Sequence, residues 1–356
     1  MEIEHDVDEE GEIIKIDNIK ISLCMIVKHD AAEWMYIENC LSNAYGEVSE
    51  IIVVTDKSAE TSTKVHEIAK KFKVNVMSKD WTDDFSELRN FSIKHATGEW
   101  ILVLDADEII TKADFTTVKK TLETNKKLNA YEAFELPQVT YNNNTWDYKW
   151  QSVDNFFTQN SVFKGAIVVP IIRLFRNNGQ KFISKVHEVL DEKKLKGKIG
   201  RISVAIHHLK YMKGIENVNE SELRYLELLK KESEENPKNV KALFDIGLTY
   251  RNILKDNKKA LEYLEKALEQ EQATEILMSI GATYSDLGNL EKAIEFYNKA
   301  LKKDQENSIA YTNLGFIYYR LENYKQALHN LEKALQLQAP NKDFIKKLIL
   351  DIEEKL

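Results

Sequence analysis

Apolar and polar positions follow two different rhythms along this chain, and the rhythm changes near residue 213. Before that point short apolar runs recur, KISLCMIV, SEIIVVT, VNVMS and WILVLD, and the stretches at 34–43, 62–71 and 84–95 between them have helical spacing. Brief continuous apolar runs predict buried strands, and buried strands alternating with helices predict a mostly parallel sheet covered on both faces. KFISKVHEVL alternates polar with apolar and predicts one further strand, while TYNNNTWDYKW, with Asn142–Asn144 as its turn, predicts a hairpin. The aromatic residues around that turn are read mainly as a satellite core.

Beyond residue 213 the beat is helical and regular. Gly247, Gly281 and Gly315 lie 34 residues apart, each followed three positions later by Tyr250, Tyr284 and Tyr318. Ala260, Ala293 and Ala327, then Ala267, Ala300 and Ala334, keep nearly the same interval. Small residues at fixed places let paired helices approach, and large ones between them fill the seam, so the pattern predicts a helix-turn-helix solenoid. It resembles the tetratricopeptide repeat. SELRYLELLKKESEENPKN reads as a preceding half repeat and NKDFIKKLILDIEEKL as a capping helix. The solenoid is read either as a packing module, including a homodimer surface, or as a cradle for a peptide.

Length and charge narrow the classes. A chain of 356 residues exceeds one ordinary core, and the expected division is an acidic extension at 1–18, an α/β domain at 19–213 and an all-α repeat domain at 214–356. A net charge of −8 without a basic patch argues against nucleic-acid partners. No membrane-length apolar run is present, and seven acids in the first twelve residues reverse the charge of a signal peptide, so the cytoplasm is the expected location. Cys24 and Cys40 lack metal or redox spacing and are expected as buried free thiols.

The candidate chemistry begins in ILVLDADEII, where a strand ends on Asp105, Asp107 and Glu108. Strand carboxyl ends are where α/β proteins bind ligands. Carboxylates gathered there repel unless a positive group joins them, and paired Asp oxygens suit magnesium or manganese; a helix cap or solvated turn is the plainer explanation of the same residues.

ISLCMIVKHD, SEIIVVTDKSAET, KDWTDDFSELRNFSIKHATGEWILVLDADEII and RLFRNNGQKFISKVHEVL together resemble, in order and spacing, the motifs of glycosyltransferase family 2 enzymes of the GT-A fold. More narrowly they are similar to the branch that includes glycocin S-glycosyltransferases. The resemblance covers about residues 20–211. It implies an inverting hexosyltransferase with a UDP-sugar donor, a divalent metal (Mn2+ or Mg2+) at a DXD motif, and a peptide or protein acceptor, Cys or Ser/Thr, which the repeats help to hold. Carried over by position, it places Val27, Lys28, Asp56, Asp84, Arg89, Asn90, Asp105, Ala106, Asp107 and Arg173 at the donor. It places Asp107, Asp105 and His208 at the metal, and Glu188, or alternatively His187, as the base. Asp84 also has the spacing of a helix cap with Glu87.

Two departures bear on the nucleotide. Where the family has D-x-G-S, this chain reads TDKS, with Thr55 in place of the acid and Lys57 in place of the glycine. Either Asp56 takes over, the base is read otherwise, or the nucleotide differs. VAIHHLKY carries Lys210 where the family has a glycine between His208 and Tyr211. The alternative class is an inert α/β domain within a repeat-based interaction scaffold.

Overall fold

The computed structural model describes residues 19–27, 34–57, 59–143, 150–159, 161–213, 215–339 and 342–356. Lys28 and the acidic extension at 1–18 lie outside the described residues, as do Trp146 and Tyr148 of the expected hairpin. Contacts divide the chain into two units: residues up to Thr140 with Val169–Met212, and Tyr141–Val168 with Lys213–Leu356.

The first unit grows from the apolar runs. Strands β1 (Ile21–Val27), β2 (Glu50–Thr55), β3 (Asn75–Ser78) and β4 (Trp100–Val103) alternate with helices α1 (Trp34–Ala44), α2 (Ala59–Ala69) and α3 (Phe85–Lys94). After β4 come β5 (Glu108–Ile109), α4 (Asp114–Leu128) and β6 (Tyr131–Asn142). Next are β7 (Trp150–Ser152), α5 (Phe156–Gln159), β8 (Gly165–Arg176), β9 (Phe182–Ile183), β10 (Val189–Leu190), β11 (Lys198–Arg201) and β12 (Ile206–His208). The sheet order is β3-β2-β1-β4-β8-β6-β12-β5, with β11 on β6 and β7 on β8. β1, β2, β3 and β4 pair in parallel, whereas β8 joins β4 antiparallel.

The pleat of β1 shows why both faces must be covered. Ile21, Leu23, Met25 and Val27 pack with Ile37 and Leu41 of α1, Val65 of α2 and Phe115 and Val118 of α4. Cys24 and Ile26 turn to the other face, against Leu88 and Ile93 of α3 and Phe182 and Leu190 of β9 and β10. Successive side chains of a strand point to opposite faces, so a strand apolar throughout needs two cores. One consequence positions the site: α3 and the β9–β10 ribbon share a face. Cys24 and Cys40 are free and buried, as expected, and burial pushes the Cys24 thiol up to about 12.

Two expected elements differ. KFISKVHEVL is not one strand; β9 and β10 form a two-residue antiparallel ribbon, and the turn between them has Ser184 and His187 at φ 75° and 52°. Alternation alone cannot foresee left-handed backbone at residues other than glycine. Trp150–Ser152 pairs with Gly165–Ile167 of β8, so β7 is paired with β8, and it is β8 that lies beside β6.

The second unit holds β7, α5 and the adjoining ends of β6 and β8, and is otherwise helical: α6 (Ile215–Glu235), α7 (Val240–Asn252), α8 (Asn257–Gln270), α9 (Thr274–Asp286), α10 (Leu290–Lys303), α11 (Ser308–Arg320), α12 (Tyr324–Gln336) and α13 (Lys342–Glu353). Asn239, Asp256, Asn289, Asn307 and Asn323 each cap a helix by accepting a backbone N–H three residues on. The periodic glycines mark close approach: a Cβ at Gly247 would lie 2.7 Å from Leu264, and one at Gly315 2.6 Å from Leu331. Tyr284 donates to Glu265 at 3.0 Å and Arg251 to Asp286 at 2.9 Å, tying one repeat to the next. No helix among the described residues is long and apolar enough to cross a membrane.

Candidate active site

Helix α3 is started by Asp84, whose carboxylate accepts from Glu87 N at 3.3 Å and from Ser86 Oγ at 2.7 Å. The cap sets the helix phase that turns Leu88, Arg89 and Ile93 toward the sheet, where all three are buried. Phe85 N donates to Lys185 O at 2.9 Å. Asn90 spends its whole amide on one residue: Nδ2 donates to Phe182 O at 2.9 Å and Oδ1 accepts from Phe182 N at 2.8 Å. The turn carrying His187 and Glu188 is thereby fastened to α3.

Arg89 lies beneath that turn, 2% exposed. Its Nε donates to Glu188 Oε1 at 3.0 Å and its Nη2 to Asp105 Oδ1 at 2.7 Å, with Nη2 also in contact with Glu188 Oε1. Its Nη1 is buried and makes no hydrogen bond among the described residues. A second arginine reaches the same acid from β8: Arg173 Nη2 donates to Asp105 Oδ2 at 2.9 Å and to Glu108 Oε1 at 3.3 Å. Burial would raise the Asp105 carboxyl, but Arg173 and Arg89 outweigh it and hold that carboxyl well below the usual range.

The turn after β4 is closed by its own acid. Asp105 N donates to Glu108 Oε2 at 2.8 Å, and Glu108 N to Asp105 O at 3.0 Å. Glu108 is wholly buried and also accepts from Gln138 Nε2 at 2.5 Å. Burial raises its pKa against the pull of Arg173. Because Glu108 pairs with His208 across β5 and β12, the imidazole arrives beside Asp107. His208 Nε2 is 3.4 Å from Asp107 Oδ2, its Nδ1 is 3.1 Å from Thr140 Oγ1, and Leu209 N donates to Asp107 O at 2.9 Å. Burial pulls the His208 pKa down, yet Asp107 carries it above the ordinary value.

The structure therefore joins Arg89, Asp105, Arg173 and Glu188 in one network and sets Asp107 with His208 beside it. Val27 is buried at the end of β1, Ala106 is buried within the turn, and Asp56 is buried just past β2, where Thr55 Oγ1 meets Ser78 Oγ at 3.1 Å. Lys57, in the glycine's place, pairs with Asp80 at 2.7 Å on the surface. His187 is half-buried in the turn. Gln138 and Thr140 belong to the network but were not foreseen, and Glu108 was named among the acids at the strand end without a role of its own. Glu108 was visible as the third acid of DADE, whereas nothing local singles out Gln138 or Thr140.

Three carboxyl groups, Asp105, Glu108 and Glu188, face two guanidinium groups, and Asp107 faces His208. Both oxygens of Asp105 are occupied by arginines, so the pair best suited to a cation is Asp107 with His208. Among the described residues no three His, Cys, Asp or Glu side chains surround a common point. Two protein ligands nevertheless fit magnesium or manganese, which commonly take one or two carboxylates and complete their shell with substrate phosphate and water.

The Glycosyl transferase family 2 profile matches residues 22–176, and tetratricopeptide profiles match 240–274, 281–322 and 308–339. The chain thus carries a family 2 glycosyltransferase domain followed by tetratricopeptide repeats. It is similar to the SPbeta prophage-derived glycosyltransferase SunS of Bacillus subtilis, 26% identical over 257 residues, covering 71% of this chain and 54% of SunS. It is also similar to a TPR repeat-containing protein of Synechococcus elongatus, 38% identical over 104 residues, 29% of this chain and 24% of that protein. The chain spans about half the length or less of these curated relatives. A solved structure of MamA covers 41% of this chain and 89% of its own, at 20% identity and a TM-score of 0.33, too low to bear on the fold.

Proposed function

We propose that the protein is an inverting, metal-dependent glycosyltransferase that moves a hexose from a UDP-sugar to a Cys, Ser or Thr side chain of a peptide or protein, which the repeats help to hold. The observation that carries this reading is the Asp107–His208 pair beside Asp105, a carboxylate bound by two arginines, at the end of β4 in a stretch that matches the family 2 profile. SunS, named a glycosyltransferase, supports the same class.

Asp107 and His208 would hold a divalent cation, Mn2+ or Mg2+. Bound there, such an ion supplies charge neutralisation to the departing diphosphate. Asp105, oriented by Arg89 and Arg173, faces the donor's ribose or sugar. Glu188 takes the proton from the acceptor's S–H or O–H. The acceptor atom bonds to C1 as the C1–O bond to the diphosphate breaks on the opposite face, so the anomeric configuration inverts. A thiol needs this base less than a hydroxyl does, because a free thiol titrates near ~8.5. Asp56, enclosed at the end of β2, is the nearest acid to the position where the family reads the nucleotide base.

The test is transfer itself. Purified chain, manganese, a panel of nucleotide sugars and peptides bearing Cys, Ser or Thr are incubated, and products are read by mass spectrometry. A hexose adduct on one peptide class is expected, with Glu188→Gln reducing transfer more for hydroxyl than for thiol acceptors. No adduct and no nucleoside diphosphate release with any donor would leave the inert-scaffold alternative standing.

A further inference from the structure

Arg89 occupies the position that the family resemblance gives to a donor contact, yet its surroundings are those of an internal brace. Its side chain is 2% exposed. The Nε and Nη2 hydrogens are spent on Glu188 and Asp105, and Nη1 is enclosed without a partner among the described residues. A guanidinium that grips a diphosphate presents a fork of free N–H groups to the incoming ligand. This one presents carboxylate-bound and enclosed nitrogens. Its two partners come from distant stretches: Asp105 ends β4, and Glu188 belongs to the turn before β10, 99 residues from Arg89.

That turn joins two strands of two residues each and contains two left-handed residues, Ser184 and His187. Helix α3 fastens it at three points: Phe85 N to Lys185 O, Asn90 to the backbone of Phe182, and Arg89 to Glu188. The first two fix backbone; Arg89 alone among these three fixes the carboxylate. A reacting group misplaced by about 1 Å can cost about 100-fold in rate.

We propose that Arg89 is a positioning residue that holds the Glu188 carboxylate at a set reach from Asp105, and so spaces the base from the donor sugar, without itself touching the donor. This rests on the transferase reading above. Buried ion pairs of this kind are better at specifying geometry than at adding stability.

The test uses the full chain and the variants Arg89→Lys, Glu188→Asp and their combination. Lysine keeps the charge but lacks the planar fork that bonds two carboxylates at once, and aspartate keeps the carboxylate one methylene short of Arg89. Melting temperature, affinity for UDP with manganese, and kcat and KM for UDP release from UDP-sugars are measured. Both single variants should bind UDP as the parent does and lose about 100-fold in kcat at unchanged KM. The double variant should lose no more than either, as groups acting as a unit do.

Undiminished kcat in Arg89→Lys would overturn the proposal. So would a loss confined to UDP affinity, which would make Arg89 a phosphate contact, or losses that multiply in the double variant. Should Arg89→Lys fail to fold, Glu188→Asp decides: full kcat refutes the brace. A parent chain that neither binds UDP nor releases it from any donor defeats the transferase reading first, and the brace with it.

Discussion

Replacing Glu108 by alanine removes an acceptor from the least accessible point of the site. Three donors point at that carboxylate: Asp105 N at 2.8 Å, Gln138 Nε2 at 2.5 Å and Arg173 Nη2 at 3.3 Å. Arg173 keeps Asp105 as a partner, so two neutral donors are orphaned, at about 1–3 kcal/mol each. Against this, the variant is spared the burial of an acid whose raised pKa shows that its charged form is held at some cost. The net expectation is a loss of about 2–4 kcal/mol. For a domain of this size each kcal/mol moves the melting point by about 2–4 °C, so a fall of roughly 5–15 °C is expected. Glu108→Gln keeps one acceptor oxygen and should lose about half as much. Tryptophan fluorescence is the right probe, because no tryptophan lies beyond Trp150 and the repeats are silent in it. A melting point for Glu108→Ala within 2 °C of the parent, or above that of Glu108→Gln, would refute the claim that this acid closes the turn.

Asn90→Ala deletes both hydrogen bonds to Phe182 and should cost about 1–3 kcal/mol with UDP affinity unchanged. Weakened UDP binding at unchanged stability, read by calorimetry, would instead make Asn90 a donor contact. Gly315→Ala sets helix propensity, a gain of about 1 kcal/mol, against a Cβ 2.6 Å from Leu331, which costs about 1–3 kcal/mol; a net fall in the far-ultraviolet melting transition is expected, and a rise would show that Leu331 yields freely. Burial raises the Glu50 carboxyl, but hydrogen bonds from Ser22, Thr97 and Gly98 outweigh it and lower its pKa in the fold. Its stabilisation is therefore complete above the unfolded value of about 4.3 and lost as pH falls through the folded value. Urea unfolding of Glu50→Gln should show a deficit at pH 7 that narrows below about pH 4, and a deficit independent of pH would contradict the assignment.

Much of the molecule was legible because its signals are local. Continuous apolar strands had to be buried on both faces, the 34-residue beat of Gly and Tyr had to stack, and Asp84 had the spacing of a cap and serves as one. The carboxylates at the end of β4 were visible for the same reason. Contacts between distant stretches were not. Arg89 meets Glu188 across 99 positions because α3 and the β9–β10 ribbon share a sheet face, and no window of sequence holds that fact. The alternation in KFISKVHEVL suits a strand as well as it suits the ribbon, and only the left-handed angles at Ser184 and His187 separate them. Gln138 was hidden because a polar residue on a long strand reads as solvent-facing until the neighbour carrying Glu108 is known.

The most direct measurement is the stability of the full chain with UDP, with and without manganese, for the parent and for Asp107→Ala. A ligand at 100 times its dissociation constant stabilises the state that binds it by about 2.7 kcal/mol. The parent should show a clear rise in the tryptophan-detected melting point only when UDP and manganese are present together, and Asp107→Ala should show none. A rise of equal size without manganese, or one that survives in Asp107→Ala, would contradict a cation held by Asp107 against the diphosphate.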